Sequence, residues 1–575
     1  MCMDVHRFVL GVGLVGCGII YGAVASEICL IELGWDIPNT KFLREQAASM
    51  ETRSPFDGVM FHVEVTNETG HRYSTAAAWD EQPWKREWLQ SALEDLQHVQ
   101  WKKFRHNFVR FNAMPGRLDW RDDAAWSALA SKLGHVAWLV RTTGCAGITF
   151  DFEHYDGQQF RWTPERGGPP ERIWSLARRR GGELIRAMAN EDRRLVVFAL
   201  FWLSQLSPLR QGQDRFEALA GEPYGLLAPF LEGMLEAAPP EMVFVDGCER
   251  GYYLDGRLAY HQLAGALRRW EGDRVRWLSP SLWPKYRAQV QVGFGIYLDM
   301  FVNEPTHTYY RAPLNGSRLA RLFDNLSGAC SAADRYVWVY GEQSGWWPEV
   351  FTPEMRRRLE EGTVGRARHW EEALPGVTRA LTWAARPDCA AAQDLALGGL
   401  TNLLANGDMS VTDSAGLPHR WGFWQAEDSR GTRGWELVDG NGRAWIAGAR
   451  DACWIQVVPA VSSVWYVVTA SELGERPGVC ELIVRWFSGG NTLWAADQVV
   501  RFPRLDQPGS PRRLVLGVAP PDEPVDRIGI VLRARNQSTG ERAVFDDVGV
   551  FAVPPPWVPW DRARAPMTKS TASNN

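Results

Sequence analysis

The chain has 575 residues, 45% apolar and 23% charged, with a net charge of −5. These proportions exclude a disordered or fibrous chain, the lack of a basic excess argues against a nucleic-acid binder, and the length calls for about 2–4 domains. The unusual number is 29 tryptophans, a side chain enriched where flat apolar ligands such as sugar rings, or protein partners, dock.

Residues 1–26 read as an export leader. Arg7 precedes an apolar run over 8–24, and Ala23-Val24-Ala25 matches a small-x-small cleavage site before Ser26. The run is too short and too rich in glycine for a membrane span. Leu14-Val15-Gly16-Cys17 resembles a bacterial lipobox, which would put a lipid anchor on Cys17. The apolar residues continuing past Cys17 favour simple secretion, to the periplasm, cell surface or medium of a bacterium; a buried first helix is the plain alternative. No later stretch reaches membrane length. Beyond Cys2 and Cys17 seven scattered cysteines remain, without a CxxC, so neither a zinc ribbon nor a disulfide framework is expected. Cys453 and Cys480 are close enough in sequence to pair within one domain.

From 27 to 385 short apolar runs alternate with helical periodicity. The runs are 29–33, 56–63, 108–111, 147–152, 195–202, 242–245, 293–301 and 336–340. Helices are predicted at 88–103, 124–141, 173–191, 226–238, 258–270, 317–326 and 353–374. Eight strands with intervening helices predict a TIM-type (β/α)8 barrel. The alternative, a doubly wound sheet, usually carries a glycine-rich phosphate turn after its first strand, and here that strand runs into Gly34-Trp35-Asp36 instead. Residues 386–400 read as an alanine- and glycine-rich linker. Over 401–553 the helical signal gives way to strands every 10–15 residues, the pattern of an all-β jelly-roll or β-sandwich domain. The tail, 554–575, is proline-rich and then rich in Ser, Thr and Asn, and is expected to be disordered.

A barrel of this kind places its chemistry at the C-terminal ends of its strands. The fourth run ends Phe150-Asp151-Phe152-Glu153-His154-Tyr155. Alternation puts Asp151 and Glu153 on one face and the phenylalanines on the other. Two adjacent acids cannot both ionise cheaply, so one is expected to hold a raised pKa, as a proton donor to a glycosidic oxygen must. The plain alternative is an ion pair with an arginine such as Arg110. Further strand ends supply Asp246 and Glu249, Asp299, and Glu342; the first three supply Trp35 and Asp36, His62, and Arg110 with Asn112. Trp35, Trp202, Trp283, Trp346 and Trp347 fall at or just after strand ends, where five indoles together suit a sugar site. Trp346 and Trp347 in particular are expected to stand exposed above Glu342. There is no tight His/Asp/Glu metal triad, and no G-x-S-x-G elbow for hydrolase chemistry of the α/β type.

On these residues the barrel resembles the secreted (β/α)8 glycoside hydrolases. Gly147-Ile148-Thr149-Phe150-Asp151-Phe152-Glu153-His154-Tyr155 is similar to the D-x-E-Y signature of chitinase-like enzymes. The longer D-x-x-D-x-D-x-E pattern is broken, with Ala146 and Thr149 at its first two acidic positions. The resemblance implies Glu153 as proton donor and Asp151 as its helper. Glu342 is the first choice of second carboxylate, with Asp246 and Glu249 as rivals. Trp35, Asp36, His62, Arg110, Tyr155, Trp202, Asp299, Trp346 and Trp347 are candidate substrate contacts. Carboxyl separation would decide the stereochemistry, about 5–5.5 Å for retention and about 6.5–9.5 Å for inversion. The C-terminal region resembles xylanase-associated carbohydrate-binding modules, in Asn402-Leu403-Leu404-Ala405-Asn406-Gly407-Asp408-Met409 and in Phe545-Asp546-Asp547-Val548. That resemblance implies a structural calcium, with Asp408 and Asp547 as ligands, against the plain reading of a solvated pair at a turn. It also implies a sugar platform at Trp421, Trp424 and Trp435.

The expected protein is therefore an exported glycoside hydrolase for a polysaccharide or oligosaccharide, with no catalytic cofactor. Two alternatives stay open. One is a non-catalytic glycan-binding protein with a degenerate barrel. The other is a polysaccharide lyase, for which Tyr155, Arg110 and His62 would serve.

Overall fold

The computed structural model describes residues 28–164, 168–269, 272–361, 367–503 and 511–558. The expected leader and Cys17 lie outside these residues. The first strands are β1 (Cys29–Gly34), β2 (Gly58–Phe61), a hairpin of β3 (Glu64–Thr66) and β4 (Arg72–Ser74), β5 (Phe108–Asn112) and β6 (Gly147–Asp151). They continue with β7 (Val196–Ala199), β8 (Val243–Asp246), β9 (Val290–Val292), β10 (Phe294–Tyr297) and β11 (Tyr336–Gly341). All but the hairpin form one barrel-like sheet in the order β10-β11-β1-β2-β5-β6-β7-β8-β9, and every pairing in it is parallel.

The sheet counts nine strands, not the eight expected. The physical reason is a change of partner at Gly293. Its N–H donates to Asp246 O at 2.8 Å, next to the β8 pairing, and from Phe294 onward the chain pairs with β11 instead. A Cβ at Gly293 would lie 2.8 Å from Tyr336 O, so only glycine passes there unstrained. One residue thus joins the two ends of the strand order.

Period-two alternation sorts the side chains. Phe108, Phe198 and Tyr336 meet edge to face at 5.4–5.8 Å inside the sheet. Phe150 and Phe152 stack at 5.4 Å on the other side and abut Trp79. Apolar faces of the helices Asp123–Thr143, Pro170–Glu191 and Leu227–Ala237 bury there, which removes large apolar areas from water.

The C-terminal strands are β12 (Gly422–Gln425), β13 (Thr432–Val438), β14 (Asn441–Ala447), β15 (Asp451–Pro459), β16 (Trp465–Glu472) and β17 (Val479–Ser488). Then follow β18 (Asn491–Thr492), β19 (Gln498–Arg501), β20 (Arg512–Val518), β21 (Arg527–Arg535) and β22 (Arg542–Val553). They make two antiparallel sheets, β12-β15-β21-β17-β18 with β19 on β17, and β13-β14-β22-β16-β20. Trp454, Trp486, Ile530, Val468 and Phe545 fill the core of this region. Cys453 and Cys480 are buried and free, so the two are unpaired.

The stretch 386–400, read as a linker, carries a helix, Pro387–Ala396. Gly517 N donates to Asp388 at 3.0 Å, and Trp383 meets Trp465 edge to face at 5.2 Å. Residues 554–558, read as the start of an unstructured tail, are packed as well. Arg379 donates to the carbonyls of Pro554 and Pro555, and Trp557 lies on Phe323 and Trp465. Below the barrel, Arg386 pairs with the largely buried Asp57, which also accepts from Leu30 N at 2.8 Å. Replacing Arg386 with Ala leaves that carboxylate buried without its cation. The expected loss is about 3 kcal/mol, read as a lower denaturant midpoint; an unchanged midpoint would contradict this account.

Candidate active site

The C-terminal ends of the barrel strands bring together most of the acids expected there. Asp151, at the end of β6, is fully buried. Its Oδ2 accepts from Arg110 Nη2 at 2.6 Å and from Tyr155 Oη at 2.8 Å, and its Oδ1 from Glu153 N at 3.0 Å. The arginine partner considered from sequence is thus present. Asp151 is an anchor that orients the chain carrying Glu153.

Glu153 keeps part of its surface open to solvent. Burial of the rest, and then the neighbouring Asp151, push its pKa above the usual carboxylate range. Glu249 opens the 3-10 turn Glu249–Tyr253 after β8. Burial first, then the charges of Glu153 and Asp151, raise it to about 8. Glu342, just past β11, accepts from Tyr340 Oη at 2.8 Å, and Tyr340 in turn accepts from Trp35 Nε1 at 3.1 Å. Tyr297 also reaches Glu342, and Tyr252 stacks on Tyr340 at 6.1 Å. The site therefore contains Glu153, Glu249 and Glu342 from three strand ends, beside the Arg110–Asp151 pair, in a wall of phenols.

Other expected residues serve the frame of the site instead. Asp246 is fully buried and accepts from Trp202 N, Ser204 N and Cys248 N at 2.9–3.3 Å. It braces two loops and presents no free oxygen to a substrate. Asp299 accepts from Glu342 N and Gln343 N at 2.8 and 3.0 Å, and burial raises it to about 7; it positions the backbone of Glu342. Asp36 accepts from Trp346 N and Trp347 N at 2.6 and 3.0 Å, and burial raises it to about 6. His62 is held neutral, its pKa pulled down to about 3 by burial and by Arg110.

The tryptophans are the largest correction. Trp346, Trp347 and Trp202, expected in the site, are only 2%, 1% and 0% exposed. Their rings pack on Phe56, Phe104 and Phe152, where burying an indole gains more than holding it in water. Trp283 donates to Leu278 O at 3.1 Å. Among the five, Trp35 alone counts as exposed, at 38%.

Sequence reasoning missed Glu32 and the tyrosines. Glu32 is fully buried on β1, its carboxyl group beside that of Asp36. Burial and the nearby Asp36 drive it well above its ordinary pKa, against the pull of Arg110. A lone acid inside Cys29-Leu30-Ile31-Glu32-Leu33 was the available signal. For Tyr340 and Tyr297 it was their spacing of two from Glu342 and Asp299.

In the C-terminal region Asp408 Oδ1 accepts from Ser410, and Asp547 is exposed with φ 50°. Among the described residues no group of three or more His, Cys, Asp or Glu side chains is placed to hold a metal. Trp421 is buried and donates to Asn406 O, while Trp424 and Trp435 are half-buried, Trp435 donating to Met409 O.

No protein-family model and no curated protein matches the chain. Among solved structures, similarity is partial. The enzymatically active domain of bacteriophage CBA120 tailspike protein 4 shares 14% identity over 26% of this chain and 21% of its own, at TM-score 0.21. A CBM4 structure shares 18% over 26% of this chain and 99% of its own, at 0.21. An arabinose-bound GH51 α-L-arabinofuranosidase shares 15% over 27% of each chain, at 0.22.

The raised Glu249 has a consequence for stability. Its folded pKa, about 8, exceeds the unfolded value near 4.5. The folded state binds the proton more tightly, so stability falls as pH rises from about 4.5 to 8. Glu249→Gln removes that loss: relative to wild type it should gain about 1–3 kcal/mol between pH 5 and pH 8.5, read by thermal denaturation at both. An equal effect at the two pH values would contradict the assignment.

Proposed function

We propose that the protein is an exported glycoside hydrolase acting on a polysaccharide or glycan, with its site in the mouth of a (β/α)8-type barrel. The observation that carries this reading is the crowding of Glu153, Glu249 and Glu342 around the Arg110–Asp151 pair. Such crowding keeps a proton on a carboxyl near neutral pH, which glycosidic cleavage requires. In this reading Glu153, open to solvent, protonates the departing oxygen. Water adds to the anomeric carbon as the glycosidic bond breaks, and its proton returns a carboxyl to the acid form; Glu249, held protonated up to about 8, adds no further negative charge beside Glu153. Glu342, fixed by Tyr340 and by the Asp299-bound backbone, is the carboxylate that supports the developing positive charge on the sugar. Asp151 is a positioning residue.

Two other readings have specific supports. The Arg110–Asp151 pair fits a barrel that only binds glycans. The lyase reading has less behind it, because Arg110 and Tyr155 are both engaged by Asp151 and His62, half-buried, has its pKa pulled down to about 3. Export rests on the sequence of residues 1–26.

Reducing-sugar release over a panel of polysaccharides tests the reading. On any glycan the wild type cleaves, Glu153→Gln should lower kcat about 10²–10⁴-fold, and Glu342→Gln comparably. Near-normal turnover by Glu153→Gln, or no cleavage anywhere in the panel by the wild type, would overturn it. Because the acid works protonated, activity should be present at low pH and be lost as pH rises through the raised carboxyl range towards 8; a rate that climbs over that span would contradict the assignment.

A further inference from the structure

Tyr253 and Tyr309 stand at the surface, 53% and 37% exposed. Scattered exposed aromatics are ordinary, but these two continue a run of rings that begins at the site. Tyr340, which holds Glu342, lies 5.3 Å from Tyr297; Tyr297 lies 5.5 Å from Tyr309, and Tyr309 6.3 Å from Tyr253. The loops bearing the outer pair are tied to the carboxylates. Tyr253 closes the 3-10 turn that Glu249 opens. Gln343, next to Glu342, donates to Asn303 Oδ1 at 2.8 Å, and Asn303 donates to Tyr309 O at 2.5 Å. Tyr309 N also donates to His307 Nδ1 at 3.1 Å, and Arg311 to Tyr252 O at 3.2 Å. So many bonds hold the rings in place before any ligand arrives, which lowers the ordering cost of binding. A phenol offers a flat apolar face and a hydroxyl, the pairing that a sugar ring's C–H face and hydroxyl rim require.

We propose that Tyr253 and Tyr309 form an outer sugar-binding platform, braced through the buried Tyr297 on the Tyr340 that holds Glu342, so that the substrate is a glycan chain filling several ring positions. The inference rests on the glycoside-hydrolase reading and adds the substrate's extent and the direction in which it leaves the carboxylates. The occupant is a saccharide because the platform is built on the same loops and packed rings that hold Glu249 and Glu342.

The test uses the full chain with Glu153→Gln, so that bound glycan persists. That protein, alone and with Tyr253→Ala/Tyr309→Ala, is run through native gels holding arabinan, xylan, mixed-linkage β-glucan, galactomannan or chitosan. The expected result is retardation in at least one gel, with the apparent dissociation constant raised about tenfold by the alanines. Tyr253→Phe/Tyr309→Phe should restore it, which separates lost stacking from a disturbed fold. Equal retardation with and without the alanines overturns the platform, as does failure of the phenylalanines to restore binding. Absence of retardation in every gel also overturns it. In that case, cleavage of small aryl glycosides by the wild type would show that the hydrolase reading stands and the platform alone fails; no cleavage would remove both.

Discussion

Glu32, Asp151, Glu153 and Glu249 all lie within the electrostatic reach of the Arg110 guanidinium. Burial makes each carboxylate costly, and the cost grows with every neighbour of like charge. Arg110 is itself buried and bonds directly to Asp151. That contact settles one negative charge and leaves the others competing for protons. The raised pKa values of Glu153 and Glu249 come first from their burial and then from the neighbouring carboxylates, and the capacity of the mouth to keep a proton near neutrality follows from both.

Around this centre the frame is built from backbone hydrogen bonds to buried carboxylates. Asp36 takes the amides of Trp346 and Trp347, Asp299 those of Glu342 and Gln343, and Asp246 those of Trp202 and Ser204. Each acid ties its own strand end to a neighbouring loop. Fixed in this way, the loops hold functional side chains without having to order on ligand binding. The same device explains why Asp246 and Asp299 are poor candidates for chemistry: both oxygens of each already accept backbone hydrogen bonds.

The strand-end acids and their facing were legible because alternation along a strand is a local property. Phe150 and Phe152 turn outward and Asp151 inward, as the pattern requires. The tryptophans were not legible in this way. A residue just past a strand end can turn its ring to the core or to solvent, and the deciding neighbours, Phe56, Phe104 and Phe152, come from distant parts of the chain. The choice among Glu249, Glu342 and Asp246 was hidden for the same reason. Their sequence settings are alike, and only burial and hydrogen-bond partners from other strands separate them.

Read alone, the sequence determined the alternation of strand and helix up to about residue 385, the all-β character after it, and the ring of acids at one end of the first region. These follow from periodicity and composition, which each segment carries by itself. Tertiary structure decided the change of partner at Gly293 that makes nine strands, the pairing of Arg110 with Asp151, the burial of Trp202, Trp346 and Trp347, and the line of tyrosines from Tyr340 to Tyr253. Each depends on groups far apart in the chain meeting in space, where desolvation and packing, which no local pattern records, choose between otherwise equivalent residues.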